Sequence, residues 1–319
     1  MEFVRTPEER FSDLSDYPFA PHYLEIGFAS IPELRMHYVD EGPREGPVVL
    51  MLHGEPTWSY LYRKMIPLFV EAGFRVLAPD HIGFGRSDKP VDKTLYSFEA
   101  HIDAIQAFVL SLSLEGITLI VQDWGGPIGL GVLAREPERF AQVVAANTML
   151  HTAEAELAGR VAWSNHASGP EDVCVAEGLL AWILHSQRAH EFEASPSIAG
   201  TTARPMSDEV LAAYDAPFPD ESHKAGMRQF PALIPITPHD PGALINRNTW
   251  QALARFHRPF LTLFADSDPS TAGWDLLFQE RVPGAVGQPH GVIEKAGHFI
   301  QEDAGPELAS AILAWLEDL

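Results

Sequence analysis

Cysteine is nearly missing from this 319-residue chain: Cys174 stands alone. One thiol cannot form an intrachain disulfide, and a reducing, cytoplasmic setting is expected. Basic residues are scarce as well, 22 Lys+Arg against 44 Asp+Glu, for a net charge of −22. Such a surface repels nucleic acid and anionic lipid, so neither is expected as a partner. It keeps a protein soluble, and a saline habitat would select the same excess. No run of about 18 apolar residues exists, the length a membrane-spanning helix needs. The charged start, MEFVRTPEERF, is followed by no apolar stretch of the signal-peptide kind. HExxH and paired-cysteine spacings are absent, so neither a metal nor another cofactor is expected. There are no repeats and no low-complexity tracts.

What is present has ordinary hydrophobicity, 46% of residues, on a chain long enough for two domains. Short apolar runs alternate with helical stretches, the pattern of a largely parallel sheet covered by helices. Strands are expected over 47–53, 74–79, 117–122, 142–147, 260–264 and 290–295. Segments 23–30 and 34–39 add an antiparallel edge hairpin, for eight strands in all. Residues 99–114 are apolar at helical spacing. Strand signals then fail between about 151 and 230, where 175–189 and 207–214 carry helical periodicity broken by Pro and Gly. The expected organisation is an α/β core formed by 1–150 and 231–319, with a helical cap, 151–230, inserted after the sixth strand. Active sites of open α/β sheets lie beyond the carboxyl ends of the strands, where such a cap would roof them.

One strand runs into Gln122-Asp123-Trp124-Gly125-Gly126. Asp123 stands where strand hands over to helix, and the glycines leave room for a tight bend. A nucleophile elbow presents its reactive side chain on such a turn, usually as the serine of G-x-S-x-G. Here Asp123 takes the serine's place and Val121 that of the first glycine. An aspartate that merely caps the next helix is the bland alternative. Three other strand ends weigh against it. Asp266 and Asp268 both follow strand 260–264, and His298 follows the last strand. His53-Gly54 opens the kind of loop that lends an N–H to an oxyanion hole. Nucleophile, acid and histidine thus follow one another in the order of the nucleophile-elbow fold.

These motifs make the chain similar to the α/β-hydrolase superfamily and, more narrowly, to the haloalkane dehalogenases. The matching stretches are His53-Gly54-Glu55-Pro56-Thr57-Trp58-Ser59-Tyr60, Phe84-Gly85-Arg86-Ser87-Asp88-Lys89-Pro90 and the elbow itself. The start, Arg5 to Phe11, and the segment Ala213 to Pro219 resemble the subfamily that holds halide between two tryptophans. The match is close over about 5–150, patchy through the cap, and resumes over 260–303.

The resemblance implies Asp123 as nucleophile, His298 as base and Asp268 as the acid that orients it. In the family's G-x-x-D turn Ala265 occupies the glycine position, which puts Asp268 rather than Asp266 at the acid's. It implies an oxyanion hole from the backbone N–H groups of Glu55 and Trp124. The halide would lie between Trp124 and a cap indole, Trp163 or Trp182. Trp182, 32 residues before Tyr214, fits the subfamily's spacing. Other dehalogenases carry an asparagine donor where Glu55 stands, which favours the Trp–Trp subfamily. Asn147 stands where some carry their acid, a role an amide cannot fill.

The residue types suit the chemistry. A carboxylate is already ionised at neutral pH and can attack carbon without a base. Histidine and its acid are needed only when water attacks the resulting ester. An indole N–H is a donor only, and in a dry pocket it stabilises charge developing on the leaving halogen. The expected activity is hydrolysis of a small halogenated alkane to alcohol, halide ion and a proton, by a monomer or homodimer.

Three other readings stay open. Epoxide hydrolases share the nucleophile but use two cap tyrosines, and this cap holds only Tyr214. Fluoroacetate dehalogenases place arginines beside the nucleophile, where this chain has Trp124-Gly125-Gly126-Pro127. A non-catalytic receptor or scaffold would have lost a triad position. His101, His166, His185, His190 and His290 are read as surface or satisfied core residues, and Cys174 as a small buried hydrophobe.

Overall fold

The computed structural model describes residues 2–163 and 177–319. His166 and Cys174 lie outside the described residues, as does part of the expected cap.

An eight-stranded sheet forms the centre. In chain order its strands are β1 (His22–Phe28), β2 (Ile31–Glu41), β3 (Val48–Leu52), β4 (Arg75–Pro79), β5 (Ile117–Asp123), β6 (Phe140–Thr148), β7 (Phe260–Ala265) and β8 (Gly291–Ile293). Across the sheet they run β8-β7-β6-β5-β3-β4-β2-β1. Only β2 lies antiparallel to its neighbours; every other adjacent pair is parallel. Parallel strands covered on both faces read as unbroken apolar runs. That is the case for β5, whose ITLIVQD is buried along its whole length. All eight expected strands are present.

Helices α1 (Ile66–Glu71), α2 (Phe98–Ser111) and α3 (Gly125–Arg135) cover the sheet in the first half of the chain. The hydroxyl of Ser97 accepts the Ala100 N–H and starts α2. The helix ends three residues before the periodicity does, because Ser113 turns into the left-handed region at φ 50°. Between β6 and β7 the described residues hold no strand. They form α4 (Glu177–Arg188), α5 (Ala194–Ala199), α6 (Asp208–Asp215) and α7 (Ala225–Leu233). In this insert α4 packs on α7 and α5 on α6. Then α8 (Pro241–Leu253), α9 (Trp274–Arg281) and α10 (Ile300–Glu317) complete the core. No helix among the described residues is long and apolar enough to cross a membrane.

A buried polar knot fastens the insert to the core. The Tyr214 hydroxyl on α6 donates to Glu302 Oε2 at 2.7 Å, at the start of α10. Glu302 also takes a bidentate pair from Arg63 at 2.7 and 2.9 Å. Removing one partner of such a pair strands a buried charge, which typically costs about 3–5 kcal/mol. Nearby, Trp58 Nε1 donates to the carbonyl of Ala213 at 3.1 Å.

Candidate active site

Asp123 closes β5 in a conformation that side chains avoid, with φ +48°. Strained backbone of this kind persists where the surroundings over-determine it, often at functional sites. The surroundings here are close. A Cβ on Gly125 would lie 2.0 Å from the Leu52 carbonyl, and one on Gly54 would lie 2.1 Å from Asp123 Oδ1. Only glycine admits these approaches. The ladder between β5 and β6 also breaks here: Val121 pairs with Ala145, but Asp123 pairs with Thr148. The Thr148 hydroxyl donates to the Asp123 carbonyl at 2.6 Å. Asp123 is buried, and the Glu55 N–H donates to its Oδ1 at 2.8 Å.

His298 stands against the other carboxylate oxygen, with Nε2 3.4 Å from Asp123 Oδ2. Its Nδ1 lies 3.0 Å from Asp268 Oδ2. Asp266 goes elsewhere: it is exposed and accepts the Lys295 N–H at 2.9 Å. The charges in this cluster hold one another. Burial alone would lower the His298 pKa, but the Asp268 charge and bonds to Asp123 and Asp268 outweigh it and push it up to about 10. Burial would likewise raise Asp268. The imidazolium, the Thr271 hydroxyl and the Ser270 N–H instead bring it down to about 2.

The backbone of His298 is fixed by side chains whose role sequence reasoning missed. Its carbonyl accepts from Gln122 Nε2 at 3.1 Å and Asn147 Nδ2 at 3.0 Å. Asn147 also donates to the Gly297 carbonyl at 2.8 Å and accepts the Ala265 N–H at 2.8 Å. An asparagine ending a strand beside β7 was the available signal. In sequence it reads only as a place where an acid is lacking.

Above these groups lies a cavity of about 350 Å³. Asp123, Trp124, Glu55 and His298 line its floor side, and the insert contributes Trp163 and Trp182. Both cap tryptophans named from sequence therefore reach the wall. The Trp124 ring is wedged against Phe98 at 4.9 Å and Phe230, on α7, at 4.7 Å. Buried indoles normally find an acceptor. Trp58, Trp250 and Trp315 do so, donating to Ala213, Leu150 and Gln288. Among the described residues, the three indoles at the cavity, Trp124, Trp163 and Trp182, donate to none, and neither does the buried Trp274.

The Glu55 carboxyl is buried at the cavity wall, with Oε1 unpartnered among the described residues. Burial, and then the Asp123 charge, push it well above the usual carboxylate range, against a weaker pull from His298. Tyr214 does not line the cavity; its hydroxyl is spent on Glu302. No arginine is among the described lining residues. One histidine departs from expectation. His101 is buried, and neither ring nitrogen has a partner among the described residues.

A protein-family model of the alpha/beta hydrolase fold matches residues 47–173. A haloalkane dehalogenase of Psychrobacter cryohalolentis is 47% identical over 318 residues, covering 100% of this chain and 99% of the relative. One from Mycobacterium marinum is 46% identical over 315 residues, covering 99% of this chain and 100% of the relative. Among solved structures, the tetrameric haloalkane dehalogenase of Paraglaciecola agarilytica aligns with a TM-score of 0.85 at 34% identity, over 98% of each chain. On these full-length likenesses, the chain belongs to the haloalkane dehalogenase family of the α/β-hydrolase fold.

Proposed function

We propose that the chain hydrolyses small haloalkanes in two chemical steps, with Asp123 as nucleophile and residues 151–230 as the cap over the site. In the first step the Asp123 carboxylate attacks the halogen-bearing carbon. A C–O bond forms, the carbon–halogen bond breaks, and halide leaves with the electron pair. Trp124 and Trp182 stabilise that halide with their indole N–H groups. Trp182 is assigned by its spacing from Tyr214, and its helix α4 packs on α7, which carries Phe230 against Trp124.

In the second step water adds to the ester carbonyl carbon. The tetrahedral oxyanion is held by the N–H groups of Glu55 and Trp124, and His298 takes the water's proton. Collapse releases the alcohol and restores the carboxylate. The proton passes to solvent. Electrostatics orders the steps. Before the attack His298 is held protonated in part by Asp123. Ester formation removes that negative charge, so the imidazole can shed its proton when a base is needed. Asp268 keeps the ring oriented throughout. The Glu55 carboxyl, unpartnered at Oε1, helps to hold the water.

The observation that carries this reading is a mostly apolar cavity lined by the elbow aspartate and by indoles with no acceptor among the described residues, Trp124 beside Asp123 and Trp163 and Trp182 from the insert. The cavity is built within one chain, so a monomer or homodimer suffices, and the single cysteine favours the cytoplasm. The test is His298→Gln with 1,2-dibromoethane. It should release about one bromide per enzyme and retain the alkyl mass on Asp123, as a two-step covalent mechanism requires. Sustained turnover at the parental rate would refute the assignment.

A further inference from the structure

His298 is held from the core through its carbonyl, but from the insert through its N–H, which donates to the Thr201 carbonyl at 2.8 Å. Thr201 also lines the cavity. Insert and histidine loop touch backbone to backbone here: a Cβ on Gly297 would lie 2.2 Å from the Thr201 carbonyl and 3.0 Å from the Ala203 nitrogen. One side chain binds both partners at once. Asp303, in the first turn of α10 and 4% exposed, accepts three backbone N–H groups. Its Oδ2 takes those of Gly297 and Ala203, each at 2.8 Å, and its Oδ1 takes that of Arg204 at 2.8 Å.

We propose that Asp303 is a positioning residue for ester hydrolysis: its carboxylate locks insert segment 201–204 to Gly297 and so delivers the Thr201 carbonyl to the His298 N–H. The inference rests on the reading of His298 as the base of the second step. A carboxylate suits the task because it offers only acceptors. An amide there would turn an NH₂ group towards at least one of the three donors. Carbon–halogen cleavage does not use His298, so a slack histidine should leave it alone. Hydrolysis needs water aligned between the ring and the ester, and small misplacements of a catalytic group cost rate steeply.

Rapid-quench mass spectrometry with 1,2-dibromoethane separates the two rate constants and the burst amplitude. For Asp303→Asn the amplitude and the cleavage constant should stay within about 2-fold of the parent, while ester hydrolysis slows roughly 10- to 100-fold. A merely structural role would lower the amplitude and leave both constants unchanged. That result overturns the proposal, as do equal falls in both constants or an unaltered hydrolysis constant. If Asp303→Asn does not fold, Ala203→Pro removes one insert N–H from the same carboxylate. It should slow hydrolysis by about 2- to 10-fold with cleavage intact; unchanged hydrolysis counts against the proposal. His298→Gln in the same assay keeps the two readings apart. If it turns over freely, the assignment of the base fails. If it traps ester while Asp303→Asn hydrolyses at the parental constant, only the positioning role fails.

Discussion

Replacing His101 by phenylalanine should remove part of the protein's sensitivity to acid. The imidazole sits among aromatic rings, 4.9 Å from Phe28 and 4.6 Å from Phe230. Burial, and secondarily the charge of His53, brings its pKa down from 6.5 to about 3. A lowered folded-state pKa means that the unfolded chain binds the proton more tightly. The stabilisation from a neutral His101 is therefore present above pH 6.5 and is lost as the pH falls from 6.5 towards 3. Each pH unit inside that window is worth about 1.4 kcal/mol, so going from pH 6.5 to 5 removes about 2 kcal/mol. Phenylalanine cannot titrate. At neutral pH its effect is small, because relief of an orphaned polar group (about 1–3 kcal/mol) opposes overpacking by the larger ring (about 1–3 kcal/mol). Urea unfolding at pH 7 and pH 5 should then show the parent losing about 2 kcal/mol more than His101→Phe between the two conditions. His151, brought down to about 4 by burial, titrates alike in both proteins and cancels. Equal losses in the two proteins would refute the reasoning.

Bromide and iodide quench indole fluorescence, so titration should reveal a saturable site with a Kd on the order of millimolar. Trp182→Phe should abolish that phase and slow carbon–halogen cleavage by roughly 10- to 1000-fold, the range for losing one preorganised donor. Trp163→Phe should change neither; the reverse pattern would reassign the cap donor. Asp268→Asn should slow ester hydrolysis by several orders of magnitude, on the order of 10⁴-fold by analogy with serine enzymes. Asp266→Asn should leave it near the parental rate, and a crippled Asp266→Asn would show that the acid had been misplaced.

Much of the fold was legible because its signals are local. Strands β3, β4, β5 and β7 are largely apolar runs that reach histidine or aspartate at their carboxyl ends, and that pattern survives without tertiary context. Their carboxyl ends delivered Asp123, Asp268 and His298 to one place because a parallel sheet aligns such ends by construction. Trp163 and Trp182 were harder, since nothing local says which indole finds an acceptor. Both reach the cavity, and only the spacing from Tyr214 separates them. His101 was misjudged for the same reason: its isolation depends on Phe28 and Phe230, which lie far from it in sequence. Glu302 and Asp303 look in sequence like ordinary acidic residues in a first helical turn, favoured there by the helix dipole. Their partners, Arg63, Tyr214 and the 203–204 backbone, come from distant segments.

The attachment of the insert through two adjacent residues of α10 also bears on how such a protein can diversify. Glu302 receives the insert at Tyr214 and Asp303 receives it at 203–204. Drift elsewhere in the insert can remodel the cavity wall and change which alkyl chains enter, while the moorings stay intact. Drift at the moorings is another matter, because both lie within five positions of His298 in the chain. On the role proposed for Asp303, change at that mooring is limited by ester hydrolysis, a step that follows release of the halide, and not by the fit of the alkyl chain alone.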